Sequence, residues 1–271
     1  MDDATRQQRR QLQREQMKVG RAAMATGLAT APRRADVIAV ARVLKSKLAE
    51  HDNPRRASEA AALAQALNET SLKARPPTRV KIACAKGCSY CCYGFVGILP
   101  PEAFRLADAV RAGRAGKLDA ATVRARTVPL RGLGPDARIG RKLACPLLGD
   151  GGVCSVYADR PLVCRQATSL SLPACIEEFE GIDREGRIEV SQVHLAHSGN
   201  AHVILLGALA AVGLPTEAFE LSGALDVALA EPDAERRWLA GEAIFASLPR
   251  NVARSSDVTM VANTIAQELR G

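Results

Sequence analysis

Aromatic residues are scarce in this chain: five Phe, three Tyr and one Trp make up 3% of 271 residues. Any core must therefore be built from Ala, Leu, Val and Ile, and a hydrophobic fraction of 47% supplies enough of them to bury one. Long apolar runs are missing as well. The longest, residues 203–214, falls short of the roughly 20 residues a bilayer-spanning helix needs, which excludes a membrane protein of that kind. The first residues, Met1-Asp-Asp-Ala-Thr-Arg, carry no apolar segment of the secretory type. No Walker loop, dinucleotide-binding glycine motif, serine nucleophile elbow or internal repeat is present, and with them go the chemistries those motifs signal. These absences describe a soluble cytoplasmic protein.

Charge of one sign is in excess. The net charge of +8 invites a nucleic-acid partner, but the basic residues are spread along the chain and a thiolate cluster would itself cancel several of them. Nucleic acid is therefore set aside. A basic segment, Arg6 to Arg21, lies within a loosely amphipathic helix expected over 4–29, which suits either a solvated helix or a docking arm for a protein partner.

Cysteine is not scarce. Cys84-Ala-Lys-Gly-Cys88-Ser-Tyr-Cys91-Cys92 places four thiols in nine residues, and Cys145, Cys154 and Cys164 follow about sixty residues later. Seven of the eight cysteines thus fall between positions 84 and 164. Thiolates are soft, charged donors, and two of them separated by two or three residues can face one metal from a single turn. A reducing compartment makes such a cluster a metal site rather than a disulfide framework. Adjacent Cys91 and Cys92 diverge on any regular backbone, so either one is a spare thiol or the site holds more than one metal. Gly87 frees the backbone before Cys88, and Gly149-Asp-Gly-Gly152 forms a reversal that brings Cys145 towards Cys154. Pro161 opens a helix carrying Cys164 in its first turn, where the helix end and the neighbours Arg160 and Arg165 favour the thiolate. Cys175 reads as a buried structural thiol, an optional ligand at best, while His194 and His197, at i, i+3, can present both rings to one metal or acid-base task.

Around this region the pattern is helical. Val37, Ala41, Leu44 and Leu48 share a face; Ser58 is placed to cap the helix that follows; Pro100-Pro101-Glu102 opens another that Gly113 and Gly116 close; and Asp119 starts one that ends near Val128, followed by loop over 131–135. Val80 and Ile82 suit a short extended piece, residues 182–190 a hairpin, and the C-terminal part reads as helices over 203–212, 216–230, 232–248 and 257–269, the last burying Val258, Val261 and Ile265. The expected fold is mainly α: a helical domain around a cysteine-rich metal-binding centre with short strands or hairpins. Its regions are 1–76 (helical, with the basic arm), 77–176 (the cysteine cluster) and 177–271 (helical), packed as one unit.

The spacing Cys84-x3-Cys88-x2-Cys91-Cys92, followed by Cys145-Pro-Leu, Cys154-Ser-Val-Tyr157 and Arg160-Pro161-x2-Cys164-Arg165, resembles the CxxCxxCC cysteine-cluster family of YkgJ-like, zinc- or iron-chelating domains over about a third of the chain. The first interval here is three residues where the family name has two, and Gln166-Ala167 stands where an aromatic often follows the last Cys-Arg. The resemblance implies a metal ion as ligand, zinc or iron, with an iron-sulfur cluster among the options. Some relatives carry the cluster inside a flagellin lysine methylase, but no S-adenosylmethionine loop is recognisable in this chain. Three functions follow. The first is a cytoplasmic metal-binding protein using Cys84, Cys88, Cys91, Cys92, Cys145, Cys154 and Cys164. The second is an iron-sulfur-dependent enzyme of redox or protein-lysine methyl transfer type, with the helical tail as its cleft. The third is a zinc-stapled interaction module. The first is the reading adopted.

Overall fold

A computed structural model describes residues 34–74, 80–181, 188–249 and 255–271. The expected helix over 4–29, the Pro76-Pro77 break and most of the hairpin over 182–190 lie outside the described residues. What is described is mainly α, with one two-stranded antiparallel sheet.

The first helix, α1 (Arg34–Leu48), buries Ile38, Ala41, Leu44 and Leu48; Ile38 leads the stripe, and Val37 is half-buried at its edge. In α2 (Arg56–Ala74) the packed face is made of small residues, Ala57, Ala60, Ala61 and Ala64, whose short side chains let neighbouring helices approach closely. Ser58 is inside the first turn of α2 rather than at its cap; its backbone N–H donates at 2.7 Å to Glu235, and that carboxylate takes the capping role. Helix α3 (Pro100–Arg111) starts at the proline pair and ends before Gly113 and Gly116, both of positive φ. Asp119 caps α4 (Ala120–Thr127) through Thr122 N–H at 2.8 Å. A short α5 (Pro135–Gly140), absent from the sequence reading, is anchored by buried Arg138, which pairs with Glu220 and donates to Ser222.

Two brief helices follow the second cysteine group, α6 (Leu162–Gln166) and α7 (Leu172–Glu180). Next comes α8 (Gln192–Ala211), against which α1, α2, α6 and the C-terminal α11 (Ser256–Arg270) all pack. The helix expected at 203 thus begins eleven residues earlier. Its polar first half defeats an apolar-pattern reading, yet Ser198 is fully buried because its hydroxyl donates to Asn68 of α2 at 2.9 Å. Strand pairing of β1 (Gly97–Ile98) with β2 (Phe219–Glu220) replaces the front of the helix expected over 216–230, leaving α9 (Leu221–Ala230), and Glu220 caps α9 at Gly223. The long helix expected over 232–248 is only α10 (Ala234–Leu239) followed by turns; Trp238 and Phe245 nonetheless both reach the core, where they meet Phe104. On α11 the buried residues are Ala262, Ile265, Ala266 and Leu269, so Val261 faces outwards instead of joining the stripe.

One apolar core draws on residues from Ile38 to Leu269, and Cys145, Cys154 and Cys164 pack against its margin. The second cysteine group is therefore seated on the core.

Candidate metal centre

The first cysteine segment is irregular. From Val80 to Ala85, where a short extended piece is expected, it belongs to no paired strand, and Ala83 N–H donates to the Ser169 carbonyl at 3.0 Å. Gly87 adopts φ +88°, after which Tyr90–Tyr93 makes a single 3₁₀ turn holding Cys91 and Cys92. Tyr90 and Tyr93 brace this turn against Phe179 of α7, edge-on at 5.5 and 4.8 Å, and Lys142 Nζ lies over that ring, 4.5 Å from its centroid.

The second segment folds as the glycine reversal requires. Leu148 bridges Cys154 antiparallel, Gly149 N–H donates to Val153 at 2.8 Å, and Gly151 and Gly152 both have positive φ. Two contacts join the segments. Cys145 N–H donates to the Cys92 carbonyl at 2.7 Å, and the Gly87 and Gly152 backbones lie so close that a Cβ on Gly152 would stand 2.7 Å from the Gly87 oxygen. Helix α6, which carries Cys164, is tied in by Glu102: its carboxylate accepts Leu99 N–H at 3.1 Å and Leu162 N–H at 2.8 Å, linking the starts of α3 and α6. That carboxyl is fully buried, and burial raises its pKa against the pull of the two amides and Arg165.

All eight cysteines are free thiols. Cys84 and Cys91 are exposed, and the others are half-buried. Burial pushes the Cys145 thiol up to about 12, opposed by a backbone N–H from Leu147 and by the charge of Arg138. Cys164 is raised well above its ordinary value by burial and then by Cys145, Cys91 and Cys154. Burial also raises Cys154, against Val156 N–H and Arg160, and Cys84, whose sulfur accepts Ser169 N–H at 3.2 Å. The adjacent pair splits. Cys92 hydrogen-bonds Cys91, which lowers the Cys91 pKa with help from Arg160, while the donor, Cys92, is raised. Cys88 and Cys175 each bear on Cys84, and Cys145 and Cys154 on Cys92, so the eight thiols form one electrostatically connected set.

The chemistry of this donor set fits zinc or iron: soft, unoxidised sulfurs from two segments, shielded on the core side. As the side chains stand among the described residues, no three His, Cys, Asp or Glu groups are gathered to hold an ion. His194 and His197 lie on α8, each with Nδ1 engaged by a serine hydroxyl at 2.9 Å, Ser191 and Ser71 respectively. A shallow hollow along α11, lined by Ser256, Thr259, Met260, Asn263, Thr264 and Gln267, holds no cysteine, histidine or charged group and is no part of the centre.

Sequence reasoning passed over Glu102 as a tie between helices and treated Arg165 as a helper of the thiolate. Arg165 is buried, donating to the Arg160 and Ala158 carbonyls and pairing with Glu69 at 2.8 Å, and its charge also favours the Cys154 thiolate, so it serves both the turn and the sulfurs. Only the motif Arg-Pro-x-x-Cys-Arg hinted at this, since a proline-fixed turn needs its carbonyls satisfied.

Fold and site together define a mainly helical protein with a thiol-rich centre at the margin of its core. Residues 83–186 match the family model CxxCxxCC, described as "Putative zinc- or iron-chelating domain", which upholds the resemblance read from the cysteine spacing. No curated protein and no solved structure matches the chain. Among the described residues no helix is long and apolar enough to cross a membrane.

Proposed function

We propose that the chain is a cytoplasmic metal-binding protein in which Cys84, Cys88, Cys91, Cys92, Cys145, Cys154 and Cys164 hold zinc or iron, the iron alone or within an iron-sulfur cluster. Helices α1, α2, α8, α9, α10 and α11, on either side of the cysteine region, act as its scaffold. One observation carries the reading: seven free thiols from two segments influence one another across a backbone junction made by Cys145 N–H and the Cys92 carbonyl. Bound zinc or iron would supply a Lewis-acid or electron-accepting centre. The chain's own residues do the rest. Glu102 and the two glycines hold the segments in register, Cys145, Cys154 and Cys164 would give up protons on ligating a metal, and exposed Cys84 and Cys91 would complete the donor set from the solvent side.

Purification under argon followed by elemental analysis tests this. Zinc or iron at about one or more equivalents is expected, a brown protein absorbing near about 400 nm marking an iron-sulfur cluster and a colourless one zinc. Folded, metal-free protein that fails to take up either metal would overturn the reading.

A further inference from the structure

Arg160 sits between the last two cysteines of the motif, six residues after Cys154 and four before Cys164. Its backbone is fixed twice, by Pro161 behind it, at φ −55° and ψ 136°, and by Arg165 Nε, which donates to its carbonyl at 2.9 Å. The preceding 3₁₀ turn, Tyr157–Asp159, is clamped through buried Asp159 by Arg105 at 2.6 Å and Arg114 at 3.3 Å. The Arg160 guanidinium lies 4.0 Å from the Tyr157 ring centroid.

Other arginines close to the centre have a carboxylate: Arg138 has Glu220 and Arg165 has Glu69. Among the described residues Arg160 differs from both in forming no such ion pair, and its Nε, like that of Arg138, is buried with no hydrogen-bond partner. A buried N–H left in that state is destabilising, and one on a charged group more so. The groups on which its positive charge bears include Cys91, Cys154 and Cys164, sulfurs from both segments.

We propose that Arg160 is the positioning residue and counter-charge of the metal-thiolate centre, its Nε–H reserved for a metal-bound sulfur of Cys154 or Cys91. Several thiolates around one or two cations leave surplus negative charge, and an unpaired guanidinium on a rigid turn offsets it without taking a coordination position. The orphaned Nε then has its partner. The inference rests on the metal-binding reading above.

Cobalt(II) titration under argon, with affinity measured by chelator competition, provides the test on the full chain. Arg160→Gln is expected to bind about tenfold to a hundredfold more weakly, as loss of an outer-shell partner does, and its sulfur-to-cobalt charge-transfer band should move to longer wavelength because the thiolate has lost a donor. Arg160→Lys, which keeps the charge but has no Nε–H, should recover part of the affinity and keep the band shift. Should the Gln variant fail to fold, the band position of the Lys variant alone decides. Affinity within twofold of wild type in Arg160→Gln, or an unmoved band in Arg160→Lys, would overturn the proposal. If wild type itself takes up no cobalt, zinc or iron, the metal-binding reading falls and this one with it.

Discussion

Glu102 and Glu235 are buried carboxyls with different consequences. Glu102 satisfies two amides that nothing else reaches, so Glu102→Ala leaves both buried and unpaired. A loss of about 2–4 kcal/mol is expected, read from urea denaturation of reduced protein. Glu235 is pushed up to about 7 by burial from an ordinary 4.5, with Ser58 N–H pulling the other way. The folded chain therefore keeps a proton that the unfolded chain releases, and stability falls as pH rises from about 4.5 to 7. Glu235→Gln has no proton to lose. Its stability relative to wild type should rise by about 2–3 kcal/mol between pH 4.5 and 7.5, measured by denaturation at both pH values. A flat difference would show that Glu235 keeps an ordinary pKa. Neither role was legible in the sequence, because a Glu in the first turn of a helix looks the same whether it faces water or reaches an amide sixty residues away.

At the scale of elements, what the sequence shows is local. The proline pair before α3, the aspartate before α4 and the glycines of the 149–152 reversal each act on their own neighbours, and each stands where the pattern puts it. What escaped was decided by tertiary contact. The start of α8 is polar because it faces Asn68 and Ser71, and Phe219 and Glu220 leave the helix to pair with β1. Two glycines carry the consequence. Gly207 of α8 would place a Cβ 2.6 Å from Ile265 of α11, so Gly207→Ala should lower the melting temperature, costing about 1–3 kcal/mol through overpacking. Gly152→Ala meets both a positive φ of +73° and the Gly87 backbone, forcing the two cysteine segments apart. It should weaken cobalt binding at least about tenfold, an effect that Gly207→Ala, remote in sequence from both segments, should not share. Equal losses in the two variants would indicate that global stability alone governs affinity.

For the whole molecule, metal loading is linked to protons and to folding. Cys145, at about 12, and Cys164, higher than its ordinary value, hold their protons at neutral pH, so on the proposed reading each ligation by them would expel one. Affinity should accordingly rise with pH up to the point where those thiols ionise unaided. Titrating zinc calorimetrically in two buffers of different ionisation enthalpy should show at least about two protons released per metal bound. The two cysteine segments are visible in the spacing, but that Cys145, Cys154 and Cys164 pack against the core while Cys84 and Cys91 are exposed is not. That division depends on how α6 and the 149–152 reversal lie on helices far away in sequence.

The junction between Cys145 N–H and the Cys92 carbonyl closes a ring of chain that contains α3, α4 and α5. An ion gripped from both sides of that junction acts as a covalent staple would on a loop of roughly fifty residues, restricting the denatured chain by about 4 kcal/mol of entropy. Stripping the ion would then loosen far more than the sulfurs, since three helices lose the clasp that shortens their search for one another.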